Sequence, residues 1–375
     1  MSDGPTSKQQ PTDPSAHSST TGMVGGGFYD ANSATQWNAI KVDFPMLDKA
    51  VANLPLNDDE LITLADFGCS EGRNSINVMI HILADLLPLT SAQILTVHSD
   101  LPTNDFSELF VNLRPEGHSV FGSDRVFSTA IGGSMYDQLL PSRSVHLATT
   151  FNAIGFLSRK PVDRMPGYIF PNGPSAIRNN GYVSEQDRQA FSEQAKQDVA
   201  QYLHVRAKEL VPGGKLLVEV FGFKDDIRTC DGIYDLLNDA VLAHVETGDI
   251  ARDTYEQYYQ PVYLRDLEEL TAPVTDKTYK SAGLFSLDQS MSYEVPVPFV
   301  EDYRKDGNLE RYVKDYVNFF RAFTEAVLRN ALPETPERNQ LVDRIYRRAE
   351  EILRANPDDY PFRYVAVAML LTRLG

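Results

Sequence analysis

Three uncharged polar side chains stand close together in "YDANSATQ": Tyr29, Ser33 and Gln36. If 30–44 forms one helix, they fall at i, i+4 and i+7, so a phenol, a hydroxyl and an amide share one face. A core face would be apolar and a solvent face would carry Lys, Arg, Asp or Glu, and this stripe is neither. Two readings stand at this point: ordinary polar surface at a helix start, or a set of hydrogen-bond groups turned toward a ligand.

A second constellation is "ADFGCSEGRN", with Asp66, Gly68, Ser70, Gly72 and Asn74 between an apolar run and a helical pattern. Glycines at a strand-to-helix turn let backbone N–H groups approach a ligand, and open α/β sheets bind ligands at the carboxyl ends of their strands. A dinucleotide would favour G-x-G-x-x-G, whereas this loop reads D-x-G-x-x-x-G with an acid before its first glycine. That acid suits a cation better than a diphosphate. S-adenosylmethionine (SAM) carries an ammonium and a sulfonium, and Asp100 at the end of the next strand can accept both ribose hydroxyls. Taken alone, D-x-G-x-x-x-G is a weak signal and Asp100 can equally be a turn or helix cap; taken together in strand context, they favour a methyl donor.

The elements that must hold these groups follow from periodicity. "LITLADFG", "AQILTVHSD" and "SVHLATTFNAI" read as strands, and in "NSINVMIHILADLL" Ile76, Met79, Ile80 and Leu83 recur at helical spacing. A long helix from Ser184 is expected to close at Pro212, Gly213 and Gly214 before the strand "KLLVEVFG". Strand, helix, strand in repetition predicts an α/β fold, a Rossmann-like parallel core with a mostly helical cap formed by insertions. The expected division is a disordered tail at 1–22, then core at 23–155, 186–224, 266–300 and 361–375. Cap segments are expected at 156–185, 225–265 and 301–360.

Composition narrows the partners. Thirty-five Lys and Arg against 52 Asp and Glu give a net charge of -17 over 375 residues, which argues against nucleic acid or an anionic membrane as partner. Residues 1–22 hold no apolar signal-peptide core, and no apolar run is long enough to span a bilayer. Cys69 and Cys230 are the only cysteines, so no disulfide framework is expected, a cytoplasmic setting follows, and no metal site is expected. His146, inside a strand, reads as a satisfied core histidine, and the tyrosines of "TYEQYYQPVY" read as packing.

In order along the chain, "YDANSATQ", "ADFGCSEGRNS", "SDLPTNDFSELF", "IGGSMYDQLLPSRSVHLATTFNAIGFLS" and "RAKELVPGGKLLVEVFG" resemble the motifs of the SABATH methyltransferases, the salicylate, benzoate and theobromine group. The resemblance covers about 23–225 strongly and the remainder loosely. It implies a SAM-dependent enzyme acting on a small molecule, with a helical cap and a homodimeric assembly. Carried over, the cofactor contacts fall on Ser33, Asp66, Gly68, Gly72, Asn74, Asp100, Leu101, Ser134 and Met135. The catalytic donors fall on Tyr29 and Gln36, and the substrate contacts on Gly155, Phe156 and Tyr234. The family often has Trp at the last two of these positions and a bulky residue at Gly155, so a widened pocket is expected, with room for a second carboxylate on an aromatic acid. The lysine that some carboxylate-specific members carry before the glycine run is absent. The leading expectation is a carboxyl O-methyltransferase; the alternatives are an N-methyltransferase on a heterocyclic nitrogen and a SAM-binding protein without turnover.

Overall fold

The computed structural model describes residues 22–375. The expected tail, apart from Gly22, lies outside the described residues. Helices α1 (Phe28–Ala31), α2 (Ala34–Val42) and α3 (Phe44–Val51) lead into strand β1 (Ile62–Phe67), helix α4 (Arg73–Leu86) and strand β2 (Ile94–Asp100). Then come α5 (Phe106–Leu113), β3 (Val126–Gly132), β4 (Val145–Phe151), α6 (Glu185–Glu209) and β5 (Leu210–Phe221). After a small ribbon, β6 (Phe223–Lys224) and β7 (Ile227–Arg228), the chain forms α7 (Asp231–Glu246), α8 (Arg252–Gln257), α9 (Leu267–Thr275) and β8 (Phe285–Val295). It ends with α10 (Pro298–Asp306), α11 (Leu309–Ala331), α12 (Arg338–Ala355) and β9 (Tyr364–Arg373).

Seven strands form one sheet in the order β3-β2-β1-β4-β5-β9-β8. The first five run parallel, and β9 lies antiparallel to both β5 and β8. All six residues of β1 are buried, as a strand covered on both faces requires. On one face Leu64 packs with Leu47, Met79 and Leu86 of α3 and α4. On the other, Phe67 joins α6 and the cap helices, including Val199, Ile233 and Phe320. No helix among the described residues is long and apolar enough to cross a membrane.

Four expectations about elements change. The stretch 30–44 is not one helix: the chain breaks at Asn32 and Ser33, whose side chains donate back to the α1 carbonyls of Phe28 and Asp30, while Ser33 gives α2 no side-chain cap. In α4 Met79 is fully buried but Ile80 is 42% exposed, and Val78 and Ile82 complete the buried stripe. Strand β3, "VFSTAIG", was not expected; as an edge strand it shows mixed burial and lacks the continuous apolar run of its neighbours. Pro212-Gly213-Gly214 do not close α6, which ends at Glu209; they form an irregularity inside β5, where its register with β4 shifts. The segment 156–184 contains no helix or strand, 225–265 holds β7, α7 and α8, and 301–360 holds most of α10 and all of α11 and α12.

Candidate active site

The loop between β1 and α4 is held by backbone geometry that few residues permit. Gly68 and Gly72 both have positive φ, 95° and 106°. A Cβ on Gly68 would lie 2.2 Å from that of Ala153, and one on Gly72 would lie 2.4 Å from Leu109. Ser70 also adopts a left-handed conformation, and its N–H donates to Oδ2 of Asp100 at 2.7 Å. The N–H of Leu101 donates to Oδ1 of the same carboxylate at 2.7 Å. Burial pushes the Asp100 carboxyl up, and the two N–H groups pull it back down. Two strand ends are thereby locked to each other through one carboxylate.

The stretch after β3 carries Ser134 and Met135 and is fixed by a buried ion pair. Arg206 and Glu209 of α6 meet at 2.8 Å, the guanidinium lying 3.7 Å over the ring of Phe67. Arg206 donates to the carbonyls of Met135 and Asp137, and Glu209 accepts the N–H groups of Leu139 and Leu140. The pair thus satisfies four main-chain groups of this stretch while meeting each other, and such added hydrogen bonds offset part of the cost of burying two charges.

These loops border a cavity of about 1220 Å³ that reaches under the cap. Of the residues singled out in the sequence, Tyr29, Gln36, Gly68, Asp100, Leu101, Ser134, Met135, Phe156 and Tyr234 line it. The break between α1 and α2 therefore does not separate Tyr29 from Gln36. Burial first, then the negative charges of Asp30, Asp100, Glu219 and Glu71, hold the Tyr29 phenol above its usual pKa, so it stays a hydrogen-bond donor at neutral pH. Gln36 is 5% exposed and its Oε1 has no hydrogen-bond partner among the described residues.

Five of the singled-out residues do not line the cavity. Ser33 and Asn74 meet each other at 3.4 Å behind the cofactor loop. Asp66 lies beneath it, accepting a hydrogen bond from Thr149 at 2.7 Å, and burial pushes its carboxyl up to about 6. Gly72 caps α4. Gly155 faces Phe221: a Cβ there would sit 2.3 Å from that ring, so the space expected from the missing side chain is already filled. Conversely, Phe221, Phe319, Phe323, Phe362 and Tyr364 wall the cavity and were not recognised from sequence. Asn152, in a left-handed conformation after β4, accepts from the Phe221 N–H at 3.0 Å and the Tyr364 hydroxyl at 2.7 Å and so fixes two of those rings. Its positive φ has no sequence signal beyond Asn itself.

His146 is a satisfied core histidine, its Nδ1 accepting from the Thr63 N–H at 3.2 Å. Tyr255, Tyr258 and Tyr259 are buried packing residues, and both cysteines are free and buried.

A family model described as "SAM dependent carboxyl methyltransferase" matches residues 18–374. The chain belongs to that family. It is similar to the probable jasmonic acid carboxyl methyltransferase 2 of Theobroma cacao, 26% identical over 293 residues that cover 71% of this chain and 74% of that protein. It is 28% identical over 290 residues to the jasmonate O-methyltransferase of Arabidopsis thaliana, covering 70% and 73%. It is 26% identical over 303 residues to the salicylate carboxymethyltransferase of Clarkia breweri, covering 76% and 79%. A solved structure of loganic acid methyltransferase with SAH shares the fold at a TM-score of 0.74 and 22% identity, covering 94% of this chain and 99% of that one. This carboxyl methyltransferase is accordingly an enzyme that uses SAM.

Proposed function

We propose that this methyltransferase converts the carboxylate of a small ring-bearing acid, with room for a second carboxylate, to its methyl ester, with Tyr29 and Gln36 as the groups that hold the reacting carboxylate. The observation that carries this reading is that both donors border the same cavity as Asp100, opposite walls made of aromatic rings. When bound, SAM supplies a methyl group made electrophilic by the sulfonium. Asp100 uses one lone pair of each oxygen on the backbone, leaving the others for ribose hydroxyls, while Gly68, Leu101, Ser134 and Met135 border the same region. Asp66, Gly72, Ser33 and Asn74 shape and brace that loop from behind.

An organic acid with a solution pKa near ~4 arrives ionised at pH 7 and needs no base. The lining fits such a substrate: no histidine borders the cavity among the described residues. A heterocyclic N–H nucleophile would need one, and so ranks second. Tyr29 and Gln36 then contribute by orientation, placing one carboxylate lone pair toward the methyl group, and the rings of Phe156, Tyr234 and Phe323 exclude water. Arg159 and Lys160 also border the cavity with no carboxylate partner among the described residues, which counters the repulsion of an anionic substrate by a protein of net charge -17. The homodimer implied by the family resemblance and the cytoplasmic setting expected from the cysteine content belong to the same proposal, and light scattering of the purified chain tests the first.

The experiment is a panel of aromatic and alicyclic acids, some with a second carboxylate, incubated with methyl-labelled SAM. The expected products lose their label on mild alkaline treatment, as esters do; base-stable label would favour N-methylation. Tyr29→Phe and Gln36→Leu should each lower kcat/KM for the best acid about tenfold to a hundredfold, the range for one missing aligning hydrogen bond. Unchanged turnover in both variants would remove them from the carboxylate.

A further inference from the structure

Between Ser70 and Gly72, at the centre of the cofactor loop, lies Glu71, an acid with no role in the reading above. It is 1% exposed. It is not among the residues that line the cavity, and its carboxylate receives two backbone donors from a segment more than 40 positions earlier in sequence. Oε1 accepts the N–H of Gly27 at 2.6 Å and Oε2 that of Asp30 at 3.2 Å. These two amides flank Tyr29. On the other side of Gly72, the guanidinium of Arg73 donates to the carbonyl of Asp30 at 2.8 Å. Asn112 of α5 closes the group, its Nδ2 donating to the Glu71 carbonyl at 2.9 Å and to Oδ2 of Asp30 at 3.3 Å.

The arrangement has a direction. The short helix that carries Tyr29 has four residues, too few to hold itself in place. Its N-terminal amides are satisfied by a charge that belongs to the cofactor loop, and bonds of this kind are about twice as strong as neutral ones. The same loop offers the Ser70 N–H, one residue before Glu71, to Asp100. Whatever fixes Asp100 and the loop therefore fixes Glu71, and through it the backbone on both sides of the phenol. Further out, the segment is tied to the loop after β2 through Gly22 to Thr103 and Gly26 to Asp105, and to α11 through Val24 to Ala322.

We propose that Glu71, assisted by Arg73, is a positioning residue that couples occupancy of the cofactor loop to the placement of Tyr29, so that cofactor and acid bind with positive cooperativity. This rests on Tyr29 being a substrate donor, but the coupling itself concerns only the loop and α1. Linkage makes the effect reciprocal: the factor by which cofactor tightens acid binding equals that by which acid tightens cofactor binding. A segment ordered by the first ligand no longer has to be ordered by the second.

Amide hydrogen exchange with and without SAH tests the coupling without needing to know the acid. In the wild-type chain SAH should slow exchange at least fivefold both in 66–72 and 98–104 and in 24–31. In Glu71→Ala, SAH should bind within about threefold of the wild-type Kd and still protect the first two stretches, while protection of 24–31 is lost. Glu71→Gln keeps the shape and one acceptor oxygen and should retain part of it. Arg73→Met, which leaves the carboxylate in place, should weaken it to a lesser degree. If Glu71→Ala does not fold, the Gln and Met variants carry the test. Undiminished protection of 24–31 in the folded variants, or no protection of 24–31 in the wild type when SAH is bound, overturns the proposal. Loss of turnover in Tyr29→Phe is a separate result and decides only the role of the phenol.

Discussion

The two walls of the cavity that we propose to take the cofactor and the acid are built by different means. The cofactor wall comes from three loops at neighbouring strand ends and relies on main-chain groups: two glycines at positive φ, a left-handed Ser70, and N–H groups delivered to Asp100. The acid wall is made of side chains, among them Phe221, Tyr234, Phe323 and Tyr364, supplied by β5, α7, α11 and β9. A wall of backbone tolerates almost no added atom and reads one ligand. A wall of rings can be reshaped by exchange of apolar volumes at modest cost, which suits a scaffold whose relatives are named for jasmonic and salicylic acids.

If that contrast is right, the largest effect should come from the charged hub of the backbone wall. Asp100→Ala is expected to weaken SAH binding about 10- to 150-fold, from the loss of charge-assisted hydrogen bonds of about 1.5 to 3 kcal/mol. It also leaves the Ser70 and Leu101 amides unpaired. Calorimetry showing wild-type affinity would place the cofactor elsewhere.

Next in size is Gly155, which lies against Phe221 of the ring wall. Gly155 was expected to give width that Gly155→Met would remove selectively from larger acids. With Phe221 already 2.3 Å from a Cβ at that position, the substitution should displace the ring, cost about 1 to 3 kcal/mol of stability, and lower turnover of all acids alike. Selective loss of bulky acids with an unchanged Tm would show instead that Phe221 moves aside freely and that the ring wall is softer than described.

The smallest effect should be that of pH on turnover. The phenol of Tyr29 is held above its usual range, and no histidine borders the cavity among the described residues, so kcat/KM should vary less than about twofold from pH 6 to 9. Stability should behave differently. Burial raises Asp43 to about 7, and Asp30 and Asp66 to about 6, above the value near ~4 of an unfolded chain. The native state therefore binds protons that the unfolded state has released, and stability falls as pH rises from about 4 through 7, then levels. Thermal unfolding should give a higher Tm at pH 6 than at pH 8, and Asp43→Asn should flatten the upper part of that slope. A Tm that rises with pH would contradict the burial of these carboxyls.

Much of the backbone wall was legible. Asp66, Gly68, Gly72 and Asp100 announce a strand-to-helix turn through residue types that only such a turn needs, and the turn is local in sequence. What was not legible there was where each side chain turns: Asp66, next to last in the buried strand β1, accepts a hydrogen bond from Thr149 of the neighbouring strand β4. Tyr29 and Gln36 were placed on one helix that does not exist, yet both reach the cavity, because the segment is bent around the loop that Glu71 and Arg73 present. Glu71 itself looked like one acid among 52. Nothing in its type distinguishes a solvated carboxylate from one that caps a distant helix.

The sequence by itself determined the alternating strand and helix order, the cofactor loop and the family motifs, because periodicity and turn chemistry act over a few residues. Tertiary structure alone decided the acid wall. Phe319 and Phe323 of α11, Phe362 before β9, and Phe156 after β4 are separated by up to about 200 residues and are ordinary core residues in type. They become one surface only because β9 inserts antiparallel between β5 and β8 and draws the cap over the carboxyl ends of the parallel strands, and long-range strand pairing leaves no local mark in the residues it brings together.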